Sequence, residues 1–248
     1  MGKITNNNTK VADFLGYSTL SSISNADKFN RWMYDSIRPF CKGRILEIGG
    51  GIGNISECFL NEGDEIMVSE LQLEYCEIIR KRFLDRGNLK GVIAMDIVDP
   101  DFDSKYAHLF GSFDSVFALN VVEHIEDDQK AITNCKKLLK KGGHLVILVP
   151  AFQALFNHFD TALGHFRRYT AKSLRPVFEV NNLPIVHFQY FNLIGMAGWW
   201  VSGSLFRKKI IPEGQMKLYN FFVPAFRIID KITNKWLGLS VIMVGKVK

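Results

Sequence analysis

The chain has 248 residues, of which 47% are hydrophobic, 12% aromatic and 23% charged, and this ordinary globular composition excludes disordered, collagen-like and coiled-coil proteins. The formal net charge is +6, and the excess lies in residues 187–248, which contain nine Lys or Arg against two Asp or Glu. Such a segment fits a phosphate-bearing, nucleic-acid or membrane-surface partner, or an ordinary solvated surface.

Short apolar runs alternate with helical stretches up to Pro150. The predicted strands are Arg44–Ile48, Glu65–Ser69, Gly91–Met95, Phe113–Leu119 and His144–Val149. The predicted helices are Asp27–Phe40, Asn54–Asn61, Leu71–Arg86 and Ile125–Lys140, the last closed by Gly142-Gly143. This alternation indicates βαβ units, and hence a mostly parallel α/β sheet with helices on both faces.

The regular alternation of predicted strands and helices ends at Pro150. An aromatic, His-rich loop is followed by a predicted helix over Ala171–Val180, capped by Thr170. Two further strands are predicted, Pro184–Tyr190 and Leu239–Val247, which bring the sheet to seven strands. We therefore expect one domain, divided into an N-terminal helical cap (1–43), a core (44–150), a substrate segment (151–190), an apolar and basic insertion (191–238) and a final strand (239–248).

Ligands of parallel α/β sheets bind at the carboxyl ends of the strands, and the sequence has a glycine-rich turn or a polar residue at four of these ends. A glycine-rich turn, residues 47–53 (E-I-G-G-G-I-G), follows the first strand and allows a ligand to approach the backbone closely, although a tight strand–helix turn has the same appearance. Glu70, Asp96 and Asn120 end the next three strands. A carboxylate at Glu70 suits the hydroxyls of a ribose, and a solvated surface acid is the alternative.

Together these residues and the segment F-A-L-N-V-V-E-H-I resemble the class I S-adenosylmethionine-dependent methyltransferases over about residues 25–190. The stretch from Pro150 to Thr170 resembles a bacterial subgroup (methyltransferase types 11 and 12) often associated with envelope polysaccharide or lipid biosynthesis. The resemblance implies a Rossmann-like, doubly wound fold, with S-adenosyl-L-methionine as cofactor and S-adenosyl-L-homocysteine as product.

The resemblance also implies a role for each cofactor residue. Glu47 would orient the methionine ammonium group, and the methionine–ribose portion would be cradled by Gly49, Gly51 and Gly53. The other expected cofactor contacts are Glu70 to the ribose diol, Leu71 against adenine, Asp96 to the adenine amino group, Ile97 beside the ring, and Asn120 with Val121 along the sulfonium side.

The acceptor side is expected at the loop after the fifth strand. General-base candidates are His124, His158 and His165, although a hydroxyl acceptor can also react by alignment alone. Substrate-binding candidates are Asp160, Arg167, Arg168 and Tyr169, because adjacent arginines recognise carboxylates or phosphates, or else hold the loop to acidic neighbours. His158, Asp160 and His165 could be drawn as metal ligands, but we expect no metal.

The insertion mixes aromatic and basic residues, and the uncharged run Phe188–Phe206 is too rich in polar residues and glycine to favour a transmembrane helix. It fits a lid over the substrate site, a contact with a membrane surface, or both. No secretion signal is evident, so we expect a cytoplasmic protein, free or peripheral at the inner membrane face. No nucleic-acid partner is expected.

The sequence thus predicts O-methylation of a small or lipid-linked metabolite. Two alternatives remain open at this stage: methylation of a macromolecule, protein or RNA, and a cofactor-binding regulatory protein without turnover. The basic segment is the only support for the macromolecular alternative.

Overall fold

The computed structural model describes residues 16–208, 212–233 and 235–248, apart from the side chain of Glu213. Seven strands form one sheet in the order β3-β2-β1-β4-β5-β7-β6. The strands are β1 (Ile45–Ile48), β2 (Ile66–Glu70), β3 (Leu89–Ala94), β4 (Phe113–Leu119), β5 (Leu139–Pro150), β6 (Ile185–Phe191) and β7 (Ser240–Lys246). Strands β1 to β5 pair in parallel, whereas β7 runs antiparallel between β5 and β6.

Helices cover both faces of this sheet. They are α1 (16–24), α2 (Asp27–Ile37), α3 (Asn54–Asn61), α4 (Leu73–Arg82), α5 (Phe102–Tyr106), α6 (Asp128–Leu138), α7 (His158–Leu163), α8 (Ala171–Val180), α9 (Leu193–Trp199) and α10 (Glu213–Ile232). Short 3₁₀ turns occupy Arg38–Phe40, Ala107–Leu109, Val122–His124 and Gln153–Leu155, and a π-helix follows α9 over Trp200–Leu205.

Alternating side chains of each central strand divide the apolar interior into two cores. In β5, Val146 and Leu148 join the core under α2, α3 and α10, whereas Leu145 and Ile147 join the core under α5, α6 and α8. A parallel strand buried on both faces needs apolar residues at nearly every position, which explains its unbroken apolar run. The predicted doubly wound, mostly parallel sheet is confirmed.

The predicted helices Asn54–Asn61 and Ala171–Val180 are confirmed at both ends, and the Thr170 side chain caps α8 by accepting from the Ser173 N–H. The predicted stop of α6 at Gly142-Gly143 is wrong. The helix ends at Leu138, and β5 already begins at the buried Leu139, which pairs with Phe113 of β4. Burial of Leu139 in the core outweighs the helix-stop signal of the two glycines.

The insertion is helical and packs back onto the domain. Asn220 of α10 accepts a hydrogen bond from the backbone N–H of Phe29 in α2. The buried Asp230 carboxylate accepts from the N–H groups of Asn192 and Leu193 at 2.6 and 2.8 Å, which ties the two ends of the insertion together. Within the described ranges, no helix is both long and apolar enough to cross a bilayer.

Candidate functional site

The glycine-rich turn lies where the strand order reverses, between β1 and β4. Gly49, Gly51 and Gly53 all have positive φ angles, of 71°, 56° and 86°. A Cβ added to Gly49 would lie 2.5 Å from Cγ2 of Val121, and one added to Gly51 would lie 3.0 Å from Cδ2 of Leu20. Both the backbone conformation and the space therefore require glycine, and the turn leads directly into the N-terminus of α3.

Glu70 holds this turn from the neighbouring strand. Its Oε2 accepts from the Gly51 N–H at 2.8 Å and its Oε1 from the Gln72 N–H at 3.0 Å. Burial raises the pKa of Glu70, and these backbone hydrogen bonds oppose the shift.

Glu47 lies in the interior at the end of β1, where its carboxylate accepts from the Ser56 hydroxyl. Burial raises its pKa to about 8, Ser56 opposes the shift, and the neighbouring Glu70 adds to it. A buried carboxylate of this kind gains most from a cationic partner, and a ligand ammonium group would supply one.

The adenine side of the expected cofactor site is formed after β2 and β3. Leu71 is 63% exposed and leaves an uncovered apolar surface, whereas Ile97 is buried in the core beneath α5 and α6. Asp96 is half-buried, and its Oδ1 accepts from the Val98 N–H at 2.9 Å.

Asn120 and Val121 directly follow β4. Asn120 is exposed and has a φ of 54°, a left-handed conformation that is uncommon outside glycine and is often found at ligand sites. Val121 reaches across to Gly49 and joins the ends of β4 and β1.

Sequence reasoning missed two supports of this site. Helix α1 lies over the glycine turn, where the Leu20 carbonyl accepts from Nδ2 of Asn54 at 3.0 Å and Tyr17 packs on Tyr75. Arg82 of α4 donates to the Ile52 carbonyl at 2.9 Å and to Oδ1 of Asn54 at 3.0 Å. Neither contact has a local sequence signal, because α1 and α4 reach the turn only through the fold.

The loop after β5 is organised around Asp160, which is completely buried. Its Oδ1 accepts from Nε of Arg168 at 2.8 Å and lies 2.7 Å from Nδ1 of His165, and its Oδ2 accepts from the Asn157 N–H. Burial raises the pKa of Asp160, but hydrogen bonds from His165 and Arg168 outweigh that effect and lower it.

Arg168 is likewise buried, and its guanidinium also donates to the Ala151 carbonyl and lies 4.8 Å from the Trp199 ring. The placement of Asp160 and Arg168 favours a role in holding the loop, in contrast to the direct acceptor contact expected from the sequence.

Of the three other candidates of this loop, Tyr169 is buried, Arg167 is half-buried and His158 is exposed. Arg167 donates to Oδ2 of Asp128 at 3.0 Å, and the Tyr169 hydroxyl donates to the same oxygen at 2.8 Å. These contacts hold the loop to the start of α6. His158 is exposed at the first position of α7.

His124 and His165 meet, although 40 intervening residues separate them in the chain. Their rings pack edge to face with centroids 4.6 Å apart. Desolvation lowers the pKa of His124 to about 4, with a smaller contribution from His165, although part of His124 is exposed. Glu123, which sequence reasoning did not single out, lies beside them with 0% exposure, and burial raises its pKa to about 8.

Comparisons with known proteins agree with this geometry. A family model described as a methyltransferase domain matches residues 46–145, from β1 into β5. The ubiquinone biosynthesis O-methyltransferase of Vibrio atlanticus is 30% identical over 199 residues, which is 79% of this chain and 65% of that protein. The protein of the same name from Pectobacterium atrosepticum is 26% identical over 102 residues, 41% of this chain and 40% of that protein. The chain thus spans less than two thirds of the length of these relatives.

Among solved structures, the fold resembles a SAM-dependent methyltransferase from Archaeoglobus fulgidus, with a TM-score of 0.57 at 16% identity. The alignment covers 88% of this chain and 94% of that one. At this identity the likeness shows the fold alone.

Proposed function

This chain contains a class I S-adenosylmethionine-dependent methyltransferase domain, and from that premise we propose that it methylates an oxygen of a small or lipid-linked acceptor. The observation that carries the proposal is the convergence of the glycine turn, Glu47, Glu70 and Asn120 at one edge of the sheet. The names of the curated relatives support an oxygen acceptor, since both are O-methyltransferases.

The residues present fit the cofactor. The glycine turn leaves a cradle that side chains would fill, and Glu47 is a buried carboxylate without a cationic partner among its described hydrogen bonds. When bound, S-adenosylmethionine supplies an activated methyl group. Glu47 would hold its ammonium group, Glu70 its ribose hydroxyls and Leu71 its adenine ring.

The contribution of the protein to the reaction would be mainly alignment. Fixing two reactants in a productive orientation can lower a barrier by about 7–11 kcal/mol. Asp160 and Arg168 anchor the loop after β5. This ion pair positions His165 next to His124 on the proposed acceptor side. A base contact from one of these histidines would add about 10²–10⁴ in rate for a hydroxyl acceptor.

A lipid-linked acceptor is supported by the outer face of the insertion. On α10 the apolar side chains of Leu218, Phe221, Ile228 and Ile232 are 60–77% exposed, and their spacing of three, seven and four residues places them on one stripe. Lys217 and Lys231 are exposed beside the stripe. Apolar side chains flanked by cations are typical of helices that lie in the headgroup region of an anionic membrane.

The same insertion also supports a lid. Trp199 packs inward, with its ring 4.8 Å from that of Phe159 in α7. The adjacent Trp200 is 51% exposed. Because Trp199 packs on the acceptor loop while its neighbour is exposed, a membrane contact and a cover over the acceptor can coexist.

Methyl transfer is tested by incubating the protein with methyl-labelled cofactor and fractionated cell extract. We expect label in the lipid or small-molecule fraction, clearly less label with Glu70→Ala at a cofactor concentration near the wild-type Kd, and wild-type labelling with Glu65→Ala, just before the opposite end of β2. Label confined to a protein or RNA fraction would contradict the proposed acceptor. Absence of label from every fraction, despite measurable cofactor binding, would overturn the activity itself.

Membrane contact is tested by vesicle flotation. The wild-type protein should float with vesicles containing phosphatidylserine and much less with phosphatidylcholine alone. Phe221→Asp should abolish flotation, whereas Leu84→Asp is the matched control, because Leu84 is 81% exposed in the turn after α4, outside the stripe. Equal flotation of the two variants would contradict a contact through α10.

A further inference from the structure

The side chains of Glu123, His124 and His165 present one potential ligand atom each, and these atoms lie within 4.8 Å of one another. Imidazole nitrogen and carboxylate oxygen bind Zn²⁺ at about 2.0–2.2 Å, which puts ligands of one tetrahedral ion about 3.4 Å apart. Modest side-chain rotation therefore brings all three groups onto one ion.

Glu123 is the member whose surroundings require explanation. It has 0% exposure, and neither carboxylate oxygen has a hydrogen-bond partner in the described part of the chain. Leaving a buried carboxylate unpaired is costly. The nearby Arg168 is committed to Asp160 and to the Ala151 carbonyl, so it does not bond to Glu123.

His165 is already oriented as a metal-binding histidine would be. Its Nδ1 lies 2.7 Å from Oδ1 of Asp160, which selects the tautomer with the proton on Nδ1 and leaves the Nε2 lone pair free. Asp160 is itself fixed by Arg168 and by the Asn157 N–H. Carboxylates commonly orient metal-binding histidines in this way.

The location adds a functional argument. Glu123 and His124 follow β4 directly after Asn120 and Val121, and His165 follows α7 in the acceptor loop. The exposed His124 leaves the cluster open to solvent on one side. Three protein ligands with an open fourth position are typical of catalytic zinc sites, in which the metal binds and polarises a substrate oxygen.

We propose that Glu123, His124 and His165 bind a divalent transition-metal ion, Zn²⁺ fitting the ligand set best, whose open position takes an oxygen of the acceptor. The proposal that the ion binds depends only on the geometry and burial of these three side chains. The role towards the acceptor rests on the proposed methyl transfer: with both histidines bound to the ion, the ion replaces the base contact, and the hydroxyl that it polarises would release its proton to solvent as the methyl group is transferred. A protonated Glu123 without metal is the competing account of its burial.

Metal binding is tested directly on the full chain. The purified protein is stripped with a chelator and titrated with Zn²⁺ by calorimetry, and with Co²⁺ monitored by its visible absorption. We expect one ion per chain and a Co²⁺ spectrum of low-symmetry coordination. Glu123→Gln and His165→Ala should each weaken binding by more than about 100-fold, since loss of a ligand exceeds the 10–100-fold effect of an outer-shell change.

His158→Ala is the control, because His158 is exposed in the same loop and outside the cluster. Binding of less than a tenth of an equivalent by the folded wild-type protein would overturn the proposal, as would equal binding by Glu123→Gln and wild type. Glu123→Gln preserves shape and removes a buried charge, so its folding can be verified by thermal denaturation.

The two proposals fail separately. Cofactor binding measured on the stripped protein reports on the glycine turn alone. Methyl transfer at the full rate by the stripped protein would overturn the acceptor role of the metal while supporting the proposed function. Tight Zn²⁺ binding without methyl transfer to any fraction would support the metal site and overturn the activity.

Discussion

The carboxylate of Glu70 accepts a hydrogen bond at 2.8 Å from the backbone N–H of Gly51, 19 residues earlier in the chain. One side chain therefore fixes the conformation of the glycine turn, and the same side chain is the proposed partner of the cofactor ribose. Substitution of either residue should therefore lower cofactor affinity, and control variants distinguish that loss from a general loss of stability.

Gly51→Val should abolish cofactor binding. The position has a φ of 56°, and an added Cβ would lie 3.0 Å from Leu20, so a β-branched side chain is strained and fills the cradle. Calorimetry with S-adenosylhomocysteine measures the loss. Gly111→Val is the control, since Gly111 has a φ of 59° and nothing within 4 Å of the added Cβ. Unchanged affinity in a folded Gly51→Val variant would disprove the cofactor site.

Glu70→Ala should weaken cofactor binding by about 1–3 kcal/mol, because it removes charged hydrogen bonds to the ligand. S-adenosylmethionine and S-adenosylhomocysteine should lose similar amounts, since both carry the same ribose diol. Titration calorimetry with each ligand checks this equality. A loss for only one of the two ligands would place Glu70 away from the ribose.

Glu47→Gln should stabilise the ligand-free protein, increasingly as pH rises. The folded-state pKa of Glu47 is about 8, above its ordinary 4.5. The cost of ionising this buried carboxyl is therefore absent below about pH 4.5, grows between the two values and is constant above pH 8. Glutamine removes that cost, with a gain of roughly 4 kcal/mol at pH 8.

Urea denaturation at pH 5 and pH 8 measures this gain, and Glu74→Gln on the exposed side of α4 is the control. The same Glu47→Gln change should weaken S-adenosylmethionine binding, since the ammonium group loses its partner. A variant with a pH-independent stability difference would show that Glu47 is ionised at little cost in the folded protein.

Arg168→Ala should destabilise the fold by about 3–5 kcal/mol, because it leaves the buried carboxylate of Asp160 without its ion-pair partner. Arg167→Ala should cost less than about 1 kcal/mol, since its ion pair with Asp128 is partly exposed. Both are measured by urea denaturation. If Arg168→Ala keeps wild-type stability and only raises the KM for the acceptor, the guanidinium binds substrate instead.

The sequence predicts that the candidate cofactor residues lie close together because each lies at or next to the end of a strand, and strand ends of a parallel sheet meet at one edge. Glu47, Glu70 and Asn120 are found there for that reason. The proposed acceptor side of the site depends on contacts between segments that are distant in the chain. No periodicity indicates that His165 would reach His124, or that Glu123 would be buried with both oxygens unpaired.

The arginine pair shows the same limit. Arg167 and Arg168 are neighbours in sequence, and both looked equally available to an acceptor. The chain direction at the loop sends one guanidinium outward to α6 and the other inward to Asp160. Only the tertiary structure decides which of two adjacent identical residues is buried.

The antiparallel strand β7 has a consequence for synthesis of the protein. It lies between β5 and β6 and pairs with both, although it follows the whole insertion in the chain. A ribosome that has delivered residues 1–239 has supplied the glycine turn, the acceptor loop and the helices, yet β5 still has an unpaired edge. Open strand edges recruit other chains. Completion of the sheet therefore waits for residues 240–246, and nascent or truncated chains that stop short of them should be targets for aggregation and chaperone capture.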